Sequence, residues 1–533
     1  VIGREFSHHL LAAVAGLPEA ALLRGLGQLV GATLVQRRGE PPDAVYTFKH
    51  ALVRDAAYQT LLRARRQALH EAVATELMRR AEAGEEVRPE SLGHHCEQGG
   101  MHGAAARCYL AAGEGFAGRS ALAEAQAHLA RGLALTERIP LAGERRLRRA
   151  ELTLALGNVQ FALHGLASRE HGAACAEAIA LCRGLRGEMG RTRADTRTRA
   201  HATKLLARAL YGEWLYRLFA GQAGVSHAIG LELRDLAQAE TDTEIRAMAA
   251  GCLGTSCFFL GRFGEAAQTF AALGQECEAA ALRLPMIDFG IDARTVLQRA
   301  RSRLLACQGL GELAGAEARA SLETARELRH KPTIAMALAV SCDTAWILRD
   351  RNTLGEASAE LVAIAAEQGF RFWLARGKGY RGWIAAAEGR FEEGCALLED
   401  AIAGLSRSGI LLFGPHMRAI LADVQAEAGR KDAALALLDE ALGISLRTGE
   451  AWMEAELYRR KGELMQDDGE AAEACLRRAI GIARGQPAKL FEERAAASLE
   501  RLAFAMAQEN RTCSLVSRAG SRDQPIPSDR DLL

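Results

Sequence analysis

Leu253-Gly254-Thr255-Ser256-Cys257-Phe258-Phe259-Leu260-Gly261-Arg262-Phe263-Gly264-Glu265-Ala266, followed by Phe270, is the stretch on which the fold turns. A small residue at Gly254 is followed seven positions later by a turn glycine, Gly261. A second small residue, Ala266, and a bulky one, Phe270, come next. This order describes two antiparallel helices joined by a short turn. Small side chains let the two backbones approach, and the large one fills the groove that remains.

The same register recurs at Gly382, Gly389, Gly394 and Leu398, and again at Ala422, Gly429, Ala434 and Leu438. It returns at Gly462 and Gly469, with the second helix displaced by about two residues to Ala472 and Ala479. Weaker copies fall at 92–112, 120–136, 301–327 and 338–366. This is tetratricopeptide (TPR) spacing, although positions 382, 422 and 462 lie farther apart than the ~34 residues usual for that repeat. A lone helix pair cannot hide its apolar face, whereas stacked pairs can. The expected fold is all-α: a TPR-like α-solenoid, wound as a superhelix with a concave binding surface.

Composition agrees. The 533 residues are 49% apolar and only 5% aromatic, and strong helix formers dominate. The net charge of +1 gives no global pull toward nucleic acid or anionic membrane. Twelve cysteines are scattered with no CxxC pair, which suits reduced thiols in a cytoplasmic protein. No apolar run reaches the roughly 18 residues that a membrane span needs.

Residues 1–66 read differently. Ser7 is placed to cap a helix ending at Gly16, and Pro18 opens a second helix, Glu19 to about Gly31. Thr33–Arg38 and Val45–His50 form a hairpin around Gly39-Glu40-Pro41-Pro42-Asp43, and a helix follows from Ala51 through Leu62. Helices closed by a hairpin predict a small winged-helix-like domain. Its second helix offers only Arg24 and Gln28 toward base edges, so packing on another domain is favoured over DNA.

Candidate chemistry is sparse. Gly113-Glu114-Gly115-Phe116-Ala117-Gly118 satisfies GxGxxG but follows a helix, where a dinucleotide site needs a strand. His94, His95, Cys96, His102 and Cys108 lack regular ligand spacing, so packing outweighs metal binding. Cys175 and Cys182 share a helix face and read as core. No P-loop, HExxH or GxSxG is present. Arg183 to Arg208 is the strongest basic run and is expected to be a solvated linker between helices.

Val1-Ile2-Gly3-Arg4-Glu5-Phe6-Ser7, Tyr46-Thr47-Phe48-Lys49-His50-Ala51-Leu52-Val53-Arg54-Asp55-Ala56-Ala57-Tyr58, Gln368–Trp373 and Glu454–Leu464 resemble one family. It comprises bacterial signalling proteins joining a class III adenylate/guanylate cyclase, an AAA-like or STAND-type ATPase and a C-terminal winged-helix plus TPR region. The resemblance covers about residues 1–502. It implies that ATP, Mg²⁺ and their ligands belong to upstream domains, so no catalytic, cofactor or metal residue is assigned here. Phe48, His50, Asp55 and Tyr58 fall at the junction and are expected to be structural.

The expected organisation is a winged-helix-like junction at 1–66, first helical repeats at 67–140, a TPR-like array at 141–505 and a disordered tail at 506–533. The expected role is a non-catalytic interaction and sensor scaffold. It would bind a protein or peptide in the concave groove and relay that binding to ATPase and cyclase domains in cis. The alternative is a STAND-type transcriptional regulator that reads DNA. Partner-binding candidates, chosen as exposed positions on first helices, are Arg376, Tyr380, Trp383, Arg418, Tyr458 and Arg459, with core packing the alternative for the aromatic ones.

Overall fold

The computed structural model describes residues 1–188, 193–240, 242–279 and 293–520. Within them lie 24 helices and three short strands. The protein is an all-α, TPR-like helical-repeat solenoid preceded by a small mixed segment. It divides into two compact units. One comprises Val1–Leu163 and Arg169–Ala209; the other comprises His164–Ser168 and Leu210–Leu533.

The first unit opens with β1 (Glu5–Ser7), α1 (His8–Ala15), α2 (Glu19–Gly31), β2 (Val35–Arg38), β3 (Val45–Phe48) and α3 (Ala51–Gln59). The Ser7 hydroxyl accepts from the Leu10 amide at 3.2 Å, and Gly16 ends α1 in the left-handed region at φ 65°. The strands form an antiparallel sheet in the order β1-β3-β2. β1 was not foreseen, because three residues are too few to show alternation. Leu22, Leu26, Val35, Ala44 and Tyr46 fill the space between sheet and helices.

Helices α4 (Arg63–Glu82), α5 (Pro89–Gln98), α6 (His102–Gly118), α7 (Leu122–Thr136), α8 (Ala142–His164) and α9 (Arg169–Glu188) follow. The GxGxxG stretch lies in the last turns of α6. Gly113 admits the Leu129 side chain of α7, whose Cγ would stand 2.4 Å from an added Cβ. His95 Nδ1 lies 3.0 Å from His70 Nδ1, and burial pushes both imidazoles down to about 4. The basic run is mostly helical and not a linker. Arg183 and Arg186 lie in α9, and Arg197, Arg199, Lys204 and Arg208 lie in α10 (Arg193–Phe219). Residues 189–192, including Arg191, fall outside the described residues.

The second unit takes the end of α10 and then α11 (Ala223–Glu240), α12 (Thr243–Phe259), α13 (Phe263–Ala279), α14 (Ala293–Cys307), α15 (Gly311–Glu327), α16 (Lys331–Leu348) and α17 (Arg351–Gln368). It continues with α18 (Arg371–Ala387), α19 (Phe391–Arg407), α20 (Gly414–Glu427), α21 (Lys431–Thr448), α22 (Glu454–Leu464), α23 (Gly469–Gly485) and α24 (Lys489–Gly520). The small residues sit where helices cross. A Cβ on Gly254 would meet Phe270 Cε1 at 2.3 Å; one on Gly382 would meet the Gly394 carbonyl at 2.7 Å; one on Gly462 would meet Leu476 Cγ at 2.8 Å. Gly261, Gly389 and Gly429 turn the chain at φ 72°, 84° and 78°. Gly469 instead begins α23, and Asp468 caps that helix by accepting from the Ala471 amide at 3.1 Å. The cap accounts for the two-residue displacement. α24 runs to Gly520, past the position at which the tail is expected to begin; residues 521–533 fall outside the described residues.

First helices of successive pairs also touch one another, from α12–α14 through α20–α22, and α14 meets α24. Accordingly α16 is buried almost continuously from Thr333 to Ile347. Two carbonyls reach much farther along the sequence. The Phe219 oxygen accepts from the Leu411 amide at 2.9 Å and the Leu412 amide at 3.3 Å. The Phe259 oxygen accepts from Ala451 at 2.8 Å and Trp452 at 3.3 Å. These bonds tie the ends of α10 and α12 to the segments that precede α20 and α22.

Candidate functional site

Asp343 lies in the middle of the apolar run of α16, fully buried. An unpaired carboxylate there would be costly, and three neighbours meet it. Arg376 and the Tyr380 hydroxyl of α18 both donate to Oδ1, and Arg303 of α14 donates to Oδ2 at 3.3 Å. Since Tyr380 spends its proton on Asp343, His416 Nε2, 2.9 Å from the same hydroxyl, must be the donor of that pair. Burial, and then Arg376, hold the His416 imidazole well below its ordinary value, so it is neutral. Glu450 is also buried. It accepts from the Trp452 indole at 2.9 Å and from the Phe413 amide at 3.1 Å, and burial pushes its carboxyl up to about 7.

A second network begins at Glu456 of α22. Arg459 donates to it through Nε at 2.9 Å, and Arg460 donates at 2.8 Å. Burial alone would raise this carboxyl, but the Arg459 and Arg460 guanidiniums outweigh it and hold the group well below the usual range. Arg460 also donates to Asp423 at 2.7 Å, and Arg459 to Glu463 at 2.6 Å. Glu463 takes two further bonds, from Ser498 at 2.6 Å and Arg501 at 2.8 Å.

This network is one wall of a groove of about 670 Å³. Six arginines line it: Arg349, Arg351, Arg459, Arg460, Arg494 and Arg501. Three lining carboxylates, Asp423, Glu427 and Glu463, stand against them, with Glu456 behind. Trp383 is buried in the wall, with Arg349 and Arg351 at 5.8 and 5.7 Å from its ring centre. Burial, and then Arg460, lower the pKa of Arg349, a sign that like charges crowd here. Arg501 and Arg351 remain solvent-exposed. The groove therefore carries surplus positive charge and planar donors. That combination receives carboxylates or phosphates carried on a chain.

The six sequence candidates separate into four places. Trp383 and Arg459 line the groove together. Arg376 and Tyr380 are buried around Asp343 and are not on an exposed face, because α18 is enclosed by its neighbours. Arg418 pairs with Glu440 at 2.8 Å, and Tyr458 lies under Arg478, 4.3 Å from its ring centre. Asp343, Arg303, His416, Glu450 and Glu456 were not foreseen. The available signal was a lone acid within an apolar helical run, at Asp343.

No family model matches the chain. An uncharacterized protein of Rhizobium meliloti (strain 1021) is 25% identical over 524 residues, which cover 94% of this chain and 48% of that protein. The chain thus spans about half the length of this curated relative. Among solved structures it is similar to a Rap protein complexed with competence and sporulation factor (TM-score 0.46, 11% identity, 76% of this chain and 99% of that one). It is also similar to a STAND protein with a tetratricopeptide repeat sensor from Pyrococcus horikoshii (TM-score 0.33, 10% identity, 91% and 63%). Yeast Tom70 gives a TM-score of 0.34 at 11% identity, over 88% and 100%. Among the described residues, no helix is long and apolar enough to cross a membrane.

Proposed function

We propose that this chain is a non-catalytic interaction and sensor scaffold, and that the groove between Trp383, Arg459 and Arg501 receives an acidic segment of a protein partner. The observation that supports this is the charge balance of the groove: six lining guanidiniums against three lining carboxylates and the buried Glu456 behind them. Arg349, Arg351 and Arg501 are exposed, and Arg349 and Arg501 share their charge with Asp423 and Glu463. In the wider reading, the chain is the regulatory C-terminal part of a nucleotide cyclase–ATPase signalling protein. Residues 1–66 then act as a winged-helix junction that relays partner binding to domains in cis. That part rests on the resemblance of residues 1–7 and 46–58.

The test is fluorescence anisotropy with labelled peptides of matched length, one acidic and one basic. The acidic peptide binds, and its affinity falls as salt rises. Reversing two of the exposed charges, Arg351→Glu with Arg501→Glu, weakens it by about tenfold or more while the far-UV circular dichroism is retained. Equal binding of the basic peptide, or no response to the double reversal, defeats the proposal.

A further inference from the structure

In the second unit the start of α11, the end of α12 and the start of α13 come together, because consecutive helices run antiparallel and α12 packs on both neighbours. One side chain from each helix converges there: His227, Cys257 and Glu265. Their donor atoms, an imidazole nitrogen, a thiol sulfur and a carboxylate oxygen, all lie within 4.8 Å of one another. The chain has 12 cysteines and 14 histidines, yet among the described residues no other trio of His, Cys, Asp or Glu donors comes this close.

The backbone fixes these positions. The Arg262 amide donates to the Cys257 carbonyl at 2.8 Å, and the Ala266 amide donates to the Arg262 carbonyl at 3.0 Å, so Cys257 and Glu265 stand on the two arms of one turn. Trp214 of α10 reaches the residues just before the other two donors. Its indole donates to the Ser256 hydroxyl at 2.8 Å, and its carbonyl lies 3.4 Å from the Ser226 hydroxyl. Cys257 is buried, His227 is half-buried and Glu265 is exposed, so the trio opens to solvent on the carboxylate side. Arg262, 4.0 Å from Glu265, is the competing cation; its side chain is itself exposed and free to turn toward water.

We propose that His227, Cys257 and Glu265 bind a divalent transition-metal ion of the zinc class, with a fourth position open to water. Thiolate and imidazole select such an ion over magnesium or calcium, which take oxygen donors. Tetrahedral zinc holds donors of these kinds roughly 3.3–3.6 Å apart. Rotation of the Glu265 and His227 side chains closes the remaining distance. Burial, and then Glu265, push the Cys257 thiol up to about 11. On coordination the sulfur–metal bond forms and the thiol proton leaves to solvent. The ion staples α11 to the hairpin that follows it, α12 with α13. Donors drawn from three helices leave no local spacing, so no zinc motif is visible in the sequence. The site is independent of the arginine groove.

Titration of the full, reduced chain with Co²⁺ decides the matter, because a thiolate ligand gives a charge-transfer absorption and tetrahedral geometry gives visible d–d bands. Both develop, and Zn²⁺ then bleaches them by displacing the cobalt. Cys257→Ala abolishes the charge-transfer band. Glu265→Gln and His227→Gln each weaken Co²⁺ binding by about tenfold or more while the helical circular dichroism persists. Zn²⁺ raises the melting temperature of the parent chain and raises that of Glu265→Gln less. Should Cys257→Ala fail to fold, Glu265→Gln, altered at an exposed position, still decides. Absence of a charge-transfer band with Co²⁺ up to about 1 mM, a band that survives undiminished in Cys257→Ala, or an unchanged affinity in Glu265→Gln overturns the assignment.

Discussion

Glu450 carries a prediction of its own. Its carboxyl titrates near 7 in the folded chain, above its ordinary value of 4.5. Between those values the folded chain holds a proton that the unfolded chain does not. Its contribution to stability is therefore full below about 4.5 and is lost as the pH rises through 7, with a ceiling of roughly 3 kcal/mol. Glu450→Gln keeps the shape and an acceptor for the Trp452 indole but carries no charge. The variant should be more stable than the parent at pH 8, and the gap should close toward pH 5; urea midpoints at the two pH values measure it. A gap that does not change with pH would falsify the titration. At this same scale the sequence was least informative. Helix position made Arg376 and Tyr380 look like surface residues, because periodicity within one helix cannot reveal that other helices enclose it. Trp383 and Arg459 line the groove but are themselves buried, and Arg349, Arg494 and Arg501, which line it with them, come from elsewhere in the sequence.

For elements, the small-residue register was the legible part. Gly254, Gly382 and Gly462 each mark a crossing at which a Cβ would intrude. Some helical glycines instead lie in open space, and Gly481 near the end of α23 is one of them. The two kinds of glycine respond oppositely to alanine. Gly254→Ala should lower stability by about 1–3 kcal/mol, since the new Cβ collides with Phe270 in a packed interior. Gly481→Ala should raise it by up to about 1 kcal/mol through helix propensity alone. Thermal melting of the two variants beside the parent checks both signs. β1 escaped the sequence because it is three residues long and is defined only by its partner β3. The basic run of residues 183–208 misled because arginine suits an exposed helix as well as a linker, and composition does not separate the two.

At the scale of the molecule, the all-α repeat architecture followed from a register that recurs through the chain, whereas the inward packing of the second unit did not. Stacking rules concern neighbours, and the contacts that set this unit apart join residues nearly 200 positions apart, such as Phe219 and Leu411. All five tryptophans, Trp214, Trp346, Trp373, Trp383 and Trp452, lie in this unit, so intrinsic fluorescence reports it selectively. Ordinary repeat arrays loosen piecewise because each repeat touches only its neighbours. Here chains retaining only Trp214 or only Trp452 should show the same denaturant midpoint. Separate midpoints would mean that the long-range contacts add little.

The two backbone clasps at Phe219 and Phe259 also bear on how such a chain can evolve. Arrays of stacked hairpins commonly gain or lose a hairpin by duplication or deletion. In this unit an added hairpin between Phe259 and Leu411 would push each carbonyl out of step with the amides that it serves, and a lost one would do the same in reverse. The tally of hairpins is therefore locked by two oxygen atoms, and change is steered toward the ends of the array and the outer helices.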